Sequence, residues 1–288
     1  MKTLKLHYQK HERLDSFYQT IEEKLLFELS QYEWVTGLAF KDFVTGHQIE
    51  INQNEIFPSA STIKIHIMLK ILQLVEKGEL SFESVIEVND SICSPGAGLL
   101  SHLDDKIDLT LRNLIHFMII LSDNTATNIL IDLATIKGIN ELIDNFELEN
   151  TKIQRKMEDQ EAVAKNLENY TTPSDCIRIL HKIYEGHSSD FVSTNALYFL
   201  KKPKKGFLNR ALEGKAIVAN KPGGMPRVRC DAGIVYIDGG PYALAIMTKF
   251  SKASSFHQEH FIVKLAYITH SYMEVIRDSN EYGQGIRR

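Results

Sequence analysis

Apolar positions recur with a helical period near the start of the chain. Phe17, Ile21, Leu25 and Leu29 follow at four-residue spacing, share one face and predict a helix over residues 15–29. Short runs rich in β-branched and aromatic residues come next. Residues 34–41 and 47–52 read as two strands joined by a turn at Thr45-Gly46. From residue 61 to residue 183 the spacing is mostly helical. Helices are expected over 63–77, stopped by Gly78, and over 111–121, opened by Thr110 as N-cap. Two more are expected over 125–135 and 139–146. Strand-like runs return at 216–220, 229–237 and 242–250, the last two joined by the turn Asp238-Gly239-Gly240-Pro241. Residues 255–276 read as a long amphipathic helix.

Strands and helices at both ends, with helices between, predict a sheet built from the two termini and covered by the terminal helices. Residues 1–56 and 200–288 would form this α/β sandwich lobe, and 57–199 an inserted all-helical lobe. A cleft between two such lobes is a favoured ligand site.

Composition narrows the function classes. With 288 residues, 43% apolar and 24% charged, the chain can bury a sizeable core as a soluble globular protein. A net charge of -4 argues against a dominant nucleic-acid surface. The best apolar run, 114–121, is interrupted by His116 and is too short to span a bilayer. The opening stretch MKTLKLHYQKHERLD has neither an apolar core nor a small-residue cleavage site, so a cytoplasmic location is expected. Cys93, Cys176 and Cys230 are odd in number and widely spaced. They suggest buried or half-buried small residues rather than a disulfide framework or a zinc site. His102 and His116 lack ligand spacing, and no metal or organic cofactor is expected.

Three segments could carry chemistry. Ser61-Thr62-Ile63-Lys64 opens a helix and places a serine and a lysine on one face. Serine is a poor nucleophile until a base takes its proton, and a lysine amine can do so when burial and a second cation lower its pKa. A helix N-terminus adds N–H groups where an oxyanion would form. Ser122-Asp123-Asn124 lies between two helical patterns and reads equally as a capping link or as a relay hydroxyl with a substrate-gripping amide. Lys221-Pro222-Gly223-Gly224 reads as a turn closing a strand, or as a fixed ammonium beside glycines that let substrate lie close.

Each segment alone has a bland structural reading. Their order, Ser-x-x-Lys, then Ser-Asp-Asn, then Lys-x-Gly, resembles the active-site set of class A β-lactamases and penicillin-binding proteins. Phe57-Pro58-Ser59-Ala60 before Ser61, and Leu121, Thr125 and Ala126 around Ser122 and Asn124, fit as well. Thr171-Thr172-Pro173-Ser174-Asp175 is similar to the segment that closes the family's omega loop. The resemblance implies an α/β (α+β) fold of the β-lactamase/DD-peptidase type, with an antiparallel sheet, flanking terminal helices and a helical lobe. It implies Ser61 as acylated nucleophile, Lys64 as general base or its partner and Ser122 as proton relay. Asn124 would contact the substrate amide, and Lys221 would act electrostatically. The N–H groups of Ser61 and Gly224 would form an oxyanion hole, with Gly223 beside it, and Arg229 would bind a substrate carboxylate. The substrate would be a small or peptide-like molecule with an amide, ester or β-lactam bond.

Two departures stand out. No Glu-x-x-Leu-Asn occurs between Thr151 and Pro173. With Arg155 aligned on the family's omega-loop arginine, the missing water-activating base falls at Met157 or Glu158, and Glu158 and Asp159 are the candidate substitutes. The Lys-Thr-Gly of the family is Lys-Pro-Gly here, so a hydroxyl and an N–H are lost at Pro222, for which Arg229 and Arg227 could compensate. Slow β-lactam turnover is therefore expected. A DD-peptidase-like penicillin-binding enzyme and a non-catalytic binder that keeps the fold are the alternatives.

Overall fold

The computed structural model describes residues 12–280 and 283–285, so the leader reading of the first 11 positions lies outside the described residues. The chain forms two compact units. One comprises the described residues through Phe57, Thr172–His181 and the described residues from Lys205 onward, and the other Pro58–Thr171 with Lys182–Lys204.

The first unit is built on a five-stranded antiparallel sheet. Its strands are β1 (Val35–Asp42), β2 (Gln48–Ile51), β3 (Ile217–Met225), β4 (Val228–Tyr236) and β5 (Tyr242–Lys249). Their order is β2-β1-β5-β4-β3, so both ends of the chain contribute neighbours, with Ala245 of β5 paired to Ala39 and to Ala232. The Glu12–Leu29 and Ser255–Arg277 helices pack on the sheet and on each other. The four-residue spacing of the first helix explains its docking. Ile21 and Leu25 are fully buried and Phe17 and Leu29 pack partly, while Leu26 and Phe27 on the other side are exposed. Leu38, Phe40, Leu244, Ile246, Phe261 and Leu265 complete the same core.

One difference bears on function. The Lys221-Pro222-Gly223-Gly224 segment is not a turn but the interior of β3, and the reversal follows at Pro226-Arg227, with Arg227 left-handed at φ 64°. Because β3 is an edge strand, Pro222 costs the sheet little: its missing N–H need not break a central ladder.

A buried ion pair ties the end of β1 to the end of the last helix. Arg277 Nη2 donates to Asp42 Oδ1 at 2.5 Å, and the Tyr18 hydroxyl donates to the other oxygen. Burial works to raise the Asp42 pKa, but the Arg277 hydrogen bond and charge, with Tyr18, outweigh it and hold the carboxyl below its ordinary range. A lowered folded pKa gives stability that is present above the unfolded value and lost as pH falls through the folded one. Arg277→Met should therefore cost ~3–5 kcal/mol near neutrality by stranding a buried charge, and less in acid, where Asp42 of the variant protonates. Urea unfolding at several pH values checks this; a cost that does not shrink in acid would refute it.

The second unit centres on the Lys64–Glu76 helix, whose residues Ile65, Ile67, Met68, Leu69, Ile71 and Leu72 are all buried. A helix apolar nearly all round must be enclosed. The Leu111–Ile120, Asn124–Ala134, Ile136–Asn145 and Asp190–Leu200 helices surround it. Thr110 caps the first of these by accepting from Asn113 N–H. His66 lies in this core, where burial pushes its pKa down to about 4. The unit is not all helical: Val85–Val88 and Ile107–Thr110 form an antiparallel pair that helical spacing did not reveal. Thr172–His181, expected with the middle of the chain, belongs to the first unit.

Candidate active site

Ser61 sits in a short 3-10 turn, Ala60–Ile63, and the α-helix proper begins at Lys64. The N-terminal turn is thus tighter than an α-helical start, and the lysine is the first residue of the helix. Lys64 is 0% exposed. Its Nζ donates to the Ser122 carbonyl at 2.6 Å, to Ser122 Oγ at 3.1 Å and to Asn124 Oδ1 at 3.2 Å. Ser122 Oγ in turn donates to Ser61 Oγ at 2.6 Å. Ser61, Lys64, Ser122 and Asn124 therefore form one hydrogen-bonded chain within the second unit. Ser61 and Ser122 are half-buried, whereas Lys64 is fully buried.

The backbone is strained beside both hydroxyls. Ala60 has φ 43° and Ser122 φ 58°, a region that L residues with a Cβ seldom occupy. Asp123 holds the Ser122 bend. Its Oδ1 accepts Ala126 N–H at 2.9 Å, capping the Asn124–Ala134 helix, and its Oδ2 accepts Leu99 N–H at 2.7 Å and Leu100 N–H at 2.9 Å. Asp123 realises the capping reading of Ser122-Asp123-Asn124, while Ser122 and Asn124 on either side of it bond Lys64.

In the loop that follows Thr151, Arg155 pairs with Glu168 at 2.7 Å, and its N–H donates to Asn169 Oδ1 at 3.1 Å. Asn128 fixes the next stretch from both sides: Met157 N–H donates to Asn128 Oδ1 at 2.8 Å, and Asn128 Nδ2 donates to the Met157 carbonyl at 3.1 Å. Glu158 is exposed and left-handed at φ 58°. A Cβ placed on Gly96 would lie 2.7 Å from Asn124 Nδ2 and 3.1 Å from Glu158 Oε1, so this carboxylate borders the same backbone point as the Asn124 amide. Asp159 is occupied otherwise, since its Oδ1 caps the Gln160–Ala164 helix at Ala162 N–H, 2.9 Å away.

The remaining candidates belong to the first unit. Strand alternation places Lys221 and Gly223 on one face of β3, and Pro222 and Gly224 on the other, with Asp231 and Arg229 of β4. Lys221 is buried, and its Nζ donates to the Pro222 carbonyl at 2.9 Å. Arg229, with its side chain 13% exposed, donates from Nη1 to the carbonyls of Met225 at 2.8 Å and Val228 at 2.7 Å, and from Nε to Glu259 Oε1 at 3.2 Å. Arg227 is exposed in the turn.

Asn128 and Glu259 were invisible as site neighbours in the sequence. Asn128 follows Asn124 by one helical turn, which puts it on the same face, but nothing local announces that it grips a loop far along the chain. Glu259 lies in the last helix and meets Arg229 only through the fold. Among the described residues no cluster of His, Cys, Asp and Glu could hold a metal ion.

A model of the Beta-lactamase enzyme family matches residues 17–273. A beta-lactamase of Bacteroides uniformis is 26% identical over 250 residues, covering 79% of this chain and 83% of its own. The crystal structure of a beta-lactamase from Sphaerobacter thermophilus superposes with a TM-score of 0.83 at 26% identity, covering 89% of this chain and 98% of that one. A variant of PBP-A, solved as an acyl-enzyme complex with penicillin-G, gives 0.79 at 26% identity over 91% and 97% of the two chains. The likeness runs through both units and includes the elements that carry Ser61, Ser122 and Lys221, and on it the chain belongs to the beta-lactamase enzyme family of serine hydrolases.

Proposed function

We propose that Ser61 is the nucleophile of this hydrolase and is acylated by a β-lactam, amide or ester carbonyl. The observation that carries the reading is the unbroken bond path from Lys64 Nζ through Ser122 Oγ to Ser61 Oγ. For attack Lys64 must be the neutral amine and both hydrogen bonds must reverse: Ser61 Oγ then bonds to the carbonyl carbon, whose oxygen takes the π electrons, while the Ser61 proton passes to Ser122 Oγ and the Ser122 proton to Lys64 Nζ. The leaving nitrogen or oxygen takes a proton back from Ser122, recharged by Lys64. Asn124 would hold the substrate amide, a role supported by the orientation of its own amide by Lys64 and by the Pro95 carbonyl at 3.0 Å. Lys221, Gly223 and Gly224 keep the electrostatic and backbone roles that the resemblance gives them.

Two observations favour slow release of the acyl group. Met157 offers no proton acceptor where its backbone is pinned, and Asp159 is engaged as a helix cap. The likeness to PBP-A supports a second reading, a penicillin-binding enzyme that holds its acyl group. A pure binder would need no such complete proton path. No described helix is long and apolar enough to cross a membrane.

The test is intact-protein mass spectrometry after incubation with benzylpenicillin. One added penicilloyl mass, mapped to the Ser61 peptide and lost in Ser61→Ala, is the expected result. A protein that gains no mass from benzylpenicillin or from an activated ester would refute the acyl-transfer reading.

A further inference from the structure

The second unit carries a cluster of cations that the acyl-transfer chemistry does not use. Arg112 and His116 are four residues apart on the Leu111–Ile120 helix, so both stand on one face of it. The Asp190–Leu200 helix packs against this helix and brings Tyr198, Phe199 and the following Lys202 to it. Between centroids, the His116 ring lies 4.8 Å from the Phe199 ring and 5.9 Å from the Tyr198 ring. Lys202 Nζ sits 4.0 Å over the Tyr198 ring, and Arg112 Cζ 4.1 Å over the ring of Phe82. A ring face holds a cation without neutralising it, so both side chains keep their charge for an outside partner. Counter-charge is scarce. Arg112 has only the exposed Glu83 at 3.5 Å, and no carboxylate pairs with Lys202 among the described residues. The carbonyls that end the Asp190–Leu200 helix would repel an anion, but Lys204 Nζ covers them, donating to Leu200 and Lys202 at 2.6 Å each. Burial, and then the charges of Lys202 and Arg112, hold the His116 pKa below its ordinary value. Arg112, His116 and Lys202 are half-buried and Tyr198 is exposed, so this face meets solvent.

We propose that Arg112, His116 and Lys202 form a binding site for a phosphate group, free or carried on a lipid headgroup. The site shares no residue with the Ser61–Lys64–Ser122–Asn124 chain and does not depend on the acyl-transfer reading. The mix of donors selects the ligand. A guanidinium offers a planar fork, an ammonium a point charge and an imidazolium single N–H groups. A tetrahedral phosphate can present an oxygen to each of the three, whereas a planar carboxylate has two oxygens to share among them. With a net charge of -4 for the whole chain, the cluster is a local anion site and not part of a polyanion-binding surface. Binding should also draw a proton onto His116, because an anion offsets the two cations that oppose the imidazolium.

The experiment titrates the full-length protein with inorganic phosphate by calorimetry, with sodium chloride adjusted to hold the ionic strength constant. Arg112→Gln and Lys202→Gln should each weaken binding about tenfold, the order of one charge-assisted hydrogen bond. Phosphate binding that survives both substitutions overturns the proposal. Proton NMR reads the histidine directly, with the His116 resonance assigned by its loss in His116→Gln. Added sulfate, whose charge is constant through the range, should move the His116 titration to higher pH; a titration that stays in place overturns the proposal. Sedimentation with phosphatidylcholine vesicles, with and without phosphatidic acid, separates the two sources. Retention only by the phosphatidic acid vesicles, reversed by free phosphate and lost in Lys202→Gln, supports the headgroup. Phosphate binding without retention supports the free ion. No binding to phosphate or to either vesicle overturns the proposal. Circular dichroism checks the fold of each variant. If Arg112→Gln fails to fold for want of its stack on Phe82, Lys202→Gln carries the comparison, and an unchanged affinity there overturns the proposal.

Discussion

Replacing Lys64 by methionine is expected to slow acylation of Ser61 by about 10²–10⁴-fold, the usual contribution of a positioned base. Methionine retains most of the volume of the buried stem, so the helix that starts here should stay packed. What it removes is the group that bonds Ser122 and Asn124 at once. Without it the Ser122 hydroxyl can still touch Ser61 but loses the amine that exchanges a proton with it. Circular dichroism and a thermal melt establish that the variant is folded, and a fluorescent penicillin followed by stopped-flow reads the acylation rate. Ser122→Ala should lose activity too, through the same path, and the double variant should lose little more than the worse single one, because members of one relay are not additive. Labelling of Lys64→Met at the parental rate would remove the proton path from the mechanism.

The elements that position this site were legible because they follow simple periods. The 15–29 and 255–276 helices, the two early strands and the 111–121 helix are matched by structural elements within a few residues. What local pattern could not show depends on tertiary context. Lys221-Pro222-Gly223-Gly224 carries the composition of a turn, and only its place at the sheet edge, paired from Lys221↔Ala232 to Gly224↔Arg229, makes it a strand. The Val85–Val88 and Ile107–Thr110 pair is too short for either period to register. The motif residues were readable as an ordered set, whereas the residues that restrain them were not. Asn128 on Met157 and Glu259 on Arg229 are long-range bonds between unremarkable side chains.

The second large effect concerns release. With a chromogenic cephalosporin, a burst of one product equivalent per enzyme is expected, followed by slow turnover. In the proposed mechanism acylation uses the Lys64–Ser122 path, but hydrolysis of the ester needs a separate base near an incoming water. The loop supplies three side chains in a row. Met157 is held at both its N–H and its carbonyl by Asn128, yet has no acceptor for a proton. Asp159 is committed to Ala162 N–H. Glu158 is exposed beside Gly96, and a misplacement of about 1 Å can cost on the order of 100-fold. Met157→Glu puts a carboxylate on the backbone position that Asn128 already fixes, and should raise steady-state turnover by about 10²–10⁴-fold and abolish the burst. Asp159→Asn retains a capping oxygen and should change neither phase. Glu158→Gln separates the remaining possibilities: a further slowing of the second phase would make Glu158 the weak base of the native chain, while no change would leave release to unassisted water. Rapid linear turnover of the parent protein, abolished by Glu158→Gln, would sink the expectation, because it would mean that the left-handed backbone at Glu158 has carried its carboxylate to where the family's glutamate works.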